Sequence, residues 1–216
     1  MVNNLSQQNS ILSQFIAEIR DVDIQKDSMR FRRNLERIGE IFAYEISKTL
    51  PYRNIETTTP LGIADTRQLK DQPVIATILR AGLPLHLGLL NYFDRAENAF
   101  ISAYRKHHKN NKFEIMLESV SCPDLNEKIL ILCDPMLASG RSIVHTYRAL
   151  LSRGLPKHIH IVTAIGSAEG ITHVKANMPT SNFTVWCGAI DEELTAQAYI
   201  VPGLGDAGDL AFGDKL

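Results

Sequence analysis

Asp134, Ala138, Ser139, Gly140 and Ser142 directly follow the apolar run of residues 129–133 and lead into an amphipathic helical pattern. In such a turn backbone N–H groups converge on an anion, and the helix behind it adds the positive end of its dipole and nearby serine hydroxyls. The chemistry this suits is phosphate binding, with Asp134 placed to accept hydrogen bonds from sugar hydroxyls. No G-x-x-x-x-G-K-[ST] occurs, so a nucleoside-triphosphatase loop loses its main support. A second candidate is Arg80, in Leu79-Arg80-Ala81-Gly82, again at the end of an apolar run. A guanidinium fork there matches phosphate oxygens. A third segment, near the C-terminus, is glycine-rich and acidic. Gly203, Gly205 and Gly208 let its backbone wrap a flat ring, and Pro202 stiffens its entrance. The basic segment 105–112 (Arg105, Lys106, His107, His108, Lys109, Lys112) reads better as a loop closing over a polyanionic substrate than as an RNA-binding patch. Its two histidines lack a third ligand at metal-binding spacing.

These residues need elements to carry them. Residues 29–50 place Leu35, Ile38, Ile41, Phe42, Ile46 and Leu50 on one stripe of a helix that Pro51 ends. Residues 51–60 read as a loop or short edge strand. Continuous apolar runs at 74–79, 99–104, 129–133, 159–165 and 183–187 predict strands covered on both faces. Helical patterns over 84–93 and 142–153 lie between them. Strands alternating with helices imply a mostly parallel sheet with its ligand crevice at the carboxyl ends of the strands.

Composition sets outer bounds. The 216 residues suit one domain, and 44% hydrophobic with 22% charged residues is an ordinary globular balance. A net charge of −1 gives no general attraction to nucleic acid. Cys122, Cys133 and Cys187 show no C-x-x-C spacing, so a reducing compartment is expected. The first twenty residues lack a signal peptide's apolar stretch and no run approaches a membrane span, which predicts a soluble, cytoplasmic protein without a membrane partner.

The stretch Cys133-Asp134-Pro135-Met136-Leu137-Ala138-Ser139-Gly140-Arg141-Ser142 resembles the 5-phosphoribosyl 1-diphosphate (PRPP) signature of type I phosphoribosyltransferases, in the form of the uracil-specific branch. Leu79-Arg80-Ala81-Gly82 is similar to that family's pyrophosphate loop. Tyr199-Ile200-Val201-Pro202-Gly203-Leu204-Gly205-Asp206-Ala207-Gly208-Asp209 resembles its uracil-binding loop. The similarity runs from about Arg32 to Gly213. It implies an α/β type I phosphoribosyltransferase fold over residues 1–216: a mostly parallel central sheet flanked by helices, a helical extension over about 1–30, and a hood over the base site from about 183–216. It implies pyrimidine salvage, with uracil and PRPP as substrates, UMP and diphosphate as products, and Mg²⁺ held mainly through the PRPP diphosphate.

By the same resemblance Arg80, Arg105, Asp206 and residues 134–142 (Asp134, Pro135, Met136, Leu137, Ala138, Ser139, Gly140, Arg141, Ser142) bind PRPP. Ile200, Gly205, Asp206 and Ala207 meet uracil, and Asp206, Arg80 and Arg105 serve the chemical step. Uracil offers O4 as an acceptor beside N3–H as a donor, which a backbone N–H and C=O pair can read; cytosine reverses both and leaves buried groups unpaired.

Three features depart from the family pattern. Arg141 stands in place of a second glycine, and Leu210 in place of a cation. Basic residues replace the acidic Arg-Asn-Glu-Glu-Thr type of lid. A pyrimidine-sensing RNA-binding regulator and transfer to another base stay open as alternatives, the tail at 199–209 arguing against the latter. Arg30, Arg32, Arg33 and Arg37 read as a solvated helix face rather than an effector site, Trp186 as core. A homo-oligomer is expected. Activation by GTP and the identity of any general base stay open.

Overall fold

The computed structural model of the chain describes residues 1–107 and 113–214, with side chains outside residues 103–117. It opens with β1 (Val2–Asn4), α1 (Ile11–Arg20) and the long helix α2 (Ser28–Ser47). Asp27 caps α2 by accepting from the Met29 and Arg30 amides at 3.0 and 3.1 Å. The stripe of Leu35, Ile38, Phe42 and Ile46 is fully buried, each side chain contributing about 1.5–3 kcal/mol. β2 (Tyr52–Thr59) and β3 (Gly62–Leu69) follow as a two-stranded antiparallel sheet of their own. Where an edge strand or loop was expected over 51–60, there is a full hairpin, its polar, Thr-rich strands lying largely exposed.

The α/β alternation then begins with β4 (Val74–Leu79), α3 (Leu83–Tyr92), β5 (Glu97–His107), β6 (Phe113–Ser121), β7 (Ile129–Cys133) and β8 (Met136–Leu137). It continues with α4 (Arg141–Leu150), β9 (His158–Ser167), α5 (Ala168–Asn177) and β10 (Phe183–Asp191). β11 (Glu193–Leu194) and β12 (Ile200–Val201) make a small antiparallel pair before α6 (Ala207–Phe212).

The main sheet runs in the order β1-β10-β9-β7-β4-β5-β6, with β8 beside β9. Its pairings are parallel except β5 with β6. One face, carrying Ile75, Ile131, Val162 and Trp186, packs on α1, α2 and α3. The other, carrying Ala76, Leu130, Leu132 and Ile161, packs on Ile143, Val144 and Tyr147 of α4 and on Ile171 and Val174 of α5. Helices cover both faces, which is why the strands are apolar without alternation.

Two boundaries shift from expectation. The first thirty residues are not purely helical, because Val2–Asn4 adds a parallel strand beside β10. Phe183–Asp191, expected within the hood, is a strand of the central sheet beside β9. Among the described residues no helix is long and apolar enough to cross a membrane.

Candidate active site

Strand order reverses between β4 and β7: the chain passes from β4 to β5 on one side, and from β7 to β9 on the other. At such a switch point the loops leaving the two carboxyl ends diverge and open a crevice. Arg80, Ala81 and Gly82 leave β4, and residues 134–140 leave β7. The two loops are in close contact at their roots. A Cβ on Gly82 would sit 2.2 Å from Thr77 Oγ1 and 3.2 Å from the Cys133 carbonyl oxygen.

The segment after β7 does two jobs. Pro135 and Leu137 are buried, Leu137 at 1% exposure, and the Met136-Leu137 pair is strand β8 against Ile165 and Gly166. The side chains of Pro135 and Leu137, expected among the ligand-binding residues, therefore face the fold, and any ligand contact from them comes from the backbone. The turn that can cup an anion is confined to Ala138, Ser139 and Gly140 and the first turn of α4. Gly140 is the N-cap, at φ +71°, and no side chain caps the helix. The positive end of the helix dipole therefore lies directly behind the turn. Ser139 and Ser142 are half-buried beside it, and Arg141 is exposed.

Behind the turn stands the N-terminus of α5. Ser167 donates from Oγ to the Ala138 carbonyl at 2.6 Å and accepts from the Gly170 amide at 2.8 Å. A Cβ on Gly170 would lie 2.0 Å from the Ala138 oxygen, and one on Gly140 2.5 Å from the Gly170 oxygen. This two-glycine seam lets α5 press against the back of the turn. Ser167 and Gly170 escaped sequence reasoning, although Ser-x-x-Gly at a strand-to-helix junction is a readable capping signal.

The C-terminal hood closes the crevice from the other side. Asp206 Oδ1 caps α6, accepting from the Gly208 and Asp209 amides at 2.8 and 3.1 Å. Its carboxylate remains exposed at the mouth. A Cβ on Gly208 would come 3.9 Å from Ala81 Cβ. Arg80 Nη2 donates to the Gly213 carbonyl at 3.1 Å and lies 3.5 Å from Asp209 Oδ1. Arg80 Nε and Asp209 Oδ1 are both buried without a hydrogen-bond partner.

Of the residues expected at the base, Gly205 is exposed, at φ +92°, with open space where a Cβ would stand. Ile200 and Ala207 are 5% and 4% exposed, their side chains sunk in the core. They can meet a base only through the backbone. Arg105 lies on β5, its side chain outside the described residues, as is the rest of the expected lid over 108–112.

Contacts from the N-terminal helices hold the hood in place. Arg32 donates to the Ala211 carbonyl at 2.6 Å with its guanidinium 5.9 Å from the Phe212 ring centroid. Arg30 pairs with Glu18 through two bonds of 3.0 Å, Arg33 with Glu36 at 2.7 Å, and Arg37 lies over Phe15. Each of the four is thus paired or packed within the fold, while Arg30 and Arg33 stay about half exposed, as a solvated face would leave them. Leu210, standing where a cation was expected, packs against the core. Glu18, held by Arg30, Asn34 and Gln14, is pulled down to a pKa of about 2.

Fold and crevice are those of a doubly wound α/β protein with a small-residue turn leading into a helix at its switch point. The family model of uracil phosphoribosyltransferase matches residues 6–214. A uracil phosphoribosyltransferase of Porphyromonas gingivalis is 52% identical over 215 residues, 100% of this chain and 99% of that protein. One from Pyrococcus furiosus is 36% identical over 95% of this chain and 87% of its own. A solved Aquifex aeolicus structure superposes with a TM-score of 0.86 at 26% identity, covering 99% of this chain and 98% of that one. The chain belongs to the uracil phosphoribosyltransferase family, whose members are pentosyltransferase enzymes.

Proposed function

We propose that this chain transfers the 5-phosphoribosyl group of PRPP to uracil, yielding UMP and diphosphate. The bond from ribose C1′ to the diphosphate oxygen breaks, a bond from uracil N1 to C1′ forms, and the N1 proton is released. The observation that carries the proposal is the meeting, at one switch point, of the arginine loop after β4, the anion turn after β7 and the glycine-rich hood loop.

In this reading the first-turn amides of α4, with Ser139 and Ser142, hold the 5′-phosphate of PRPP. Asp134 takes the ribose hydroxyls. Arg80, joined by Arg105, exchanges its Gly213 and Asp209 partners for the diphosphate and stabilises the charge that gathers there as the C1′–O bond lengthens. The backbone of residues 200–207 reads the uracil edge, and Asp206 faces PRPP across the mouth.

Magnesium fits as a companion of the diphosphate. Among the described residues no group of three His, Cys, Asp or Glu side chains could hold a metal alone. Mg²⁺ typically keeps several waters and takes one or two carboxylates plus substrate phosphates. In this reading Asp209, whose Oδ1 pairs with Arg80 at 3.5 Å without a hydrogen bond, and the exposed Asp206 would be the carboxylates to share it with the diphosphate. When bound, it neutralises charge on the departing diphosphate.

The test is incubation of purified protein with PRPP, Mg²⁺ and each nucleobase in turn, with nucleotide and diphosphate followed by chromatography. UMP from uracil, and little product from cytosine or purines, is expected. Absence of UMP at every substrate concentration refutes the proposal.

A further inference from the structure

The hood loop assigned to uracil is anchored by a residue almost the whole chain away. Arg20, the last residue of α1, donates from Nη2 to Asp191 Oδ1 and from Nη1 to Asp191 Oδ2, both at 2.8 Å. The same Nη1 reaches the Gly203 carbonyl at 2.9 Å. Asp191 Oδ2 accepts from the Gly203 amide, also at 2.9 Å. Both backbone polar groups of Gly203 are thus taken by the two members of one ion pair. Gly203 is at φ +56°, and a Cβ there would meet the Ile200 oxygen at 2.1 Å, so its conformation is closed to other residues.

β10 is held in the sheet by its backbone pairing with β9 and β1, and the ion pair at its end is largely buried, with Asp191 at 8% exposure. The desolvation of the pair is offset only because the fork is bidentate and a backbone amide and carbonyl complete the set. Desolvation pushes the Asp191 carboxyl up, the Arg20 and Gly203 bonds outweigh it, and the carboxyl ends below its usual value. What the pair fixes is the peptide plane on either side of Gly203, midway between Ile200 and Gly205. A base edge read by backbone N–H and C=O groups demands that those groups be held to within about half an ångström.

We infer that Arg20 and Asp191 are positioning residues for the base: they lock the Gly203 backbone so that the hood loop presents a fixed donor and acceptor pair to uracil. The inference rests on assigning that loop to uracil. It adds two residues, outside every motif, whose effect falls on one substrate and not on the other.

The experiment compares wild type with Arg20→Lys, Arg20→Gln and Asp191→Asn in steady-state assays varying uracil and PRPP separately, beside melting curves. Arg20→Lys keeps the charge and loses the fork, so it retains the fold if the Gln and Asn variants do not. The KM for uracil is expected to rise about tenfold or more in Arg20→Lys, with the KM for PRPP within about twofold of wild type. Discrimination against cytosine should shrink in parallel. Equal rises in both KM values, or a lowered melting temperature with unchanged uracil KM, overturn the inference while leaving the proposed reaction intact. Wild-type protein that makes no UMP brings down the proposed reaction, and the inference with it.

Discussion

The two walls of the crevice are held by different physics. The anion turn after β7 is backed by apolar strands and by close backbone contact at Gly140 and Gly170, with one neutral hydroxyl, Ser167, fastening the Ala138 carbonyl. The hood is fastened by charge: Arg20 with Asp191 and Gly203, Arg32 with Ala211, and beneath them Arg30 with Glu18. Steric seams are insensitive to salt and pH and intolerant of volume. Charged anchors tolerate shape and depend on protonation. The phosphate side should therefore fail through added atoms, and the base side through lost charges.

Gly170→Val should do the greatest damage, since its Cβ is directed 2.0 Å from the Ala138 oxygen. A loss of kcat/KM for PRPP of at least about a hundredfold is expected, with about 1–3 kcal/mol of overpacking strain visible in denaturant melts. A full-activity variant would mean the seam does not shape the turn.

Arg80→Ala and Asp206→Asn should each lower turnover by at least about tenfold, or about 1.4 kcal/mol of transition-state stabilisation. Asp206→Asn is the sharper of the two. Asparagine caps a helix about as well as aspartate, so the α6 cap survives and stability should hold. Loss of activity at constant melting temperature separates a role in the crevice from capping; loss of both would leave only the cap.

Ser167→Ala removes two hydrogen bonds, the one to the Ala138 carbonyl and the one from the Gly170 amide, and should cost about 1–3 kcal/mol of stability. The KM for PRPP should rise severalfold while that for uracil stays put. Equal movement of both would erase the distinction between the walls.

The smallest effect is in acid. The carboxyl of Glu18 is depressed, so the stability it contributes is fully present above the ordinary glutamate value of about 4.3 and disappears as pH falls toward about 2. Chemical melts should show wild type more stable than Glu18→Gln at pH 6, with the two curves converging near pH 2. A gap that persists there would mean the residue acts by packing and not by charge.

The phosphate wall was far more legible in the sequence than the base wall's supports. β4 and β7 stand at the residues their apolar runs marked, because a strand buried on both faces needs no partner information to be seen. β1 stayed hidden, because Val2-Asn3-Asn4 joins the sheet edge through backbone bonds that its side chains do not announce. β3 was hidden too, its exposed polar strand offering no apolar pattern. The hood motif was visible, but the burial of Ile200, Ala207 and Leu210 was not, since a glycine-rich loop gives no period from which to tell inside from outside. Arg20 and Asp191 were invisible for another reason. Each is an ordinary charged residue locally, and only folding across a sequence separation of 171 gives the pair meaning.

That separation also governs when the site can exist. The Arg20 to Gly203 bond closes a span of 183 residues, whereas the Ser167 to Ala138 bond closes 29. During synthesis the phosphate turn and its brace can assemble while the tail is still in the ribosome. The loop assigned to the base has to wait for nearly the whole chain, so a partly made protein can form the turn assigned to the 5′-phosphate before it forms the wall proposed to select a base.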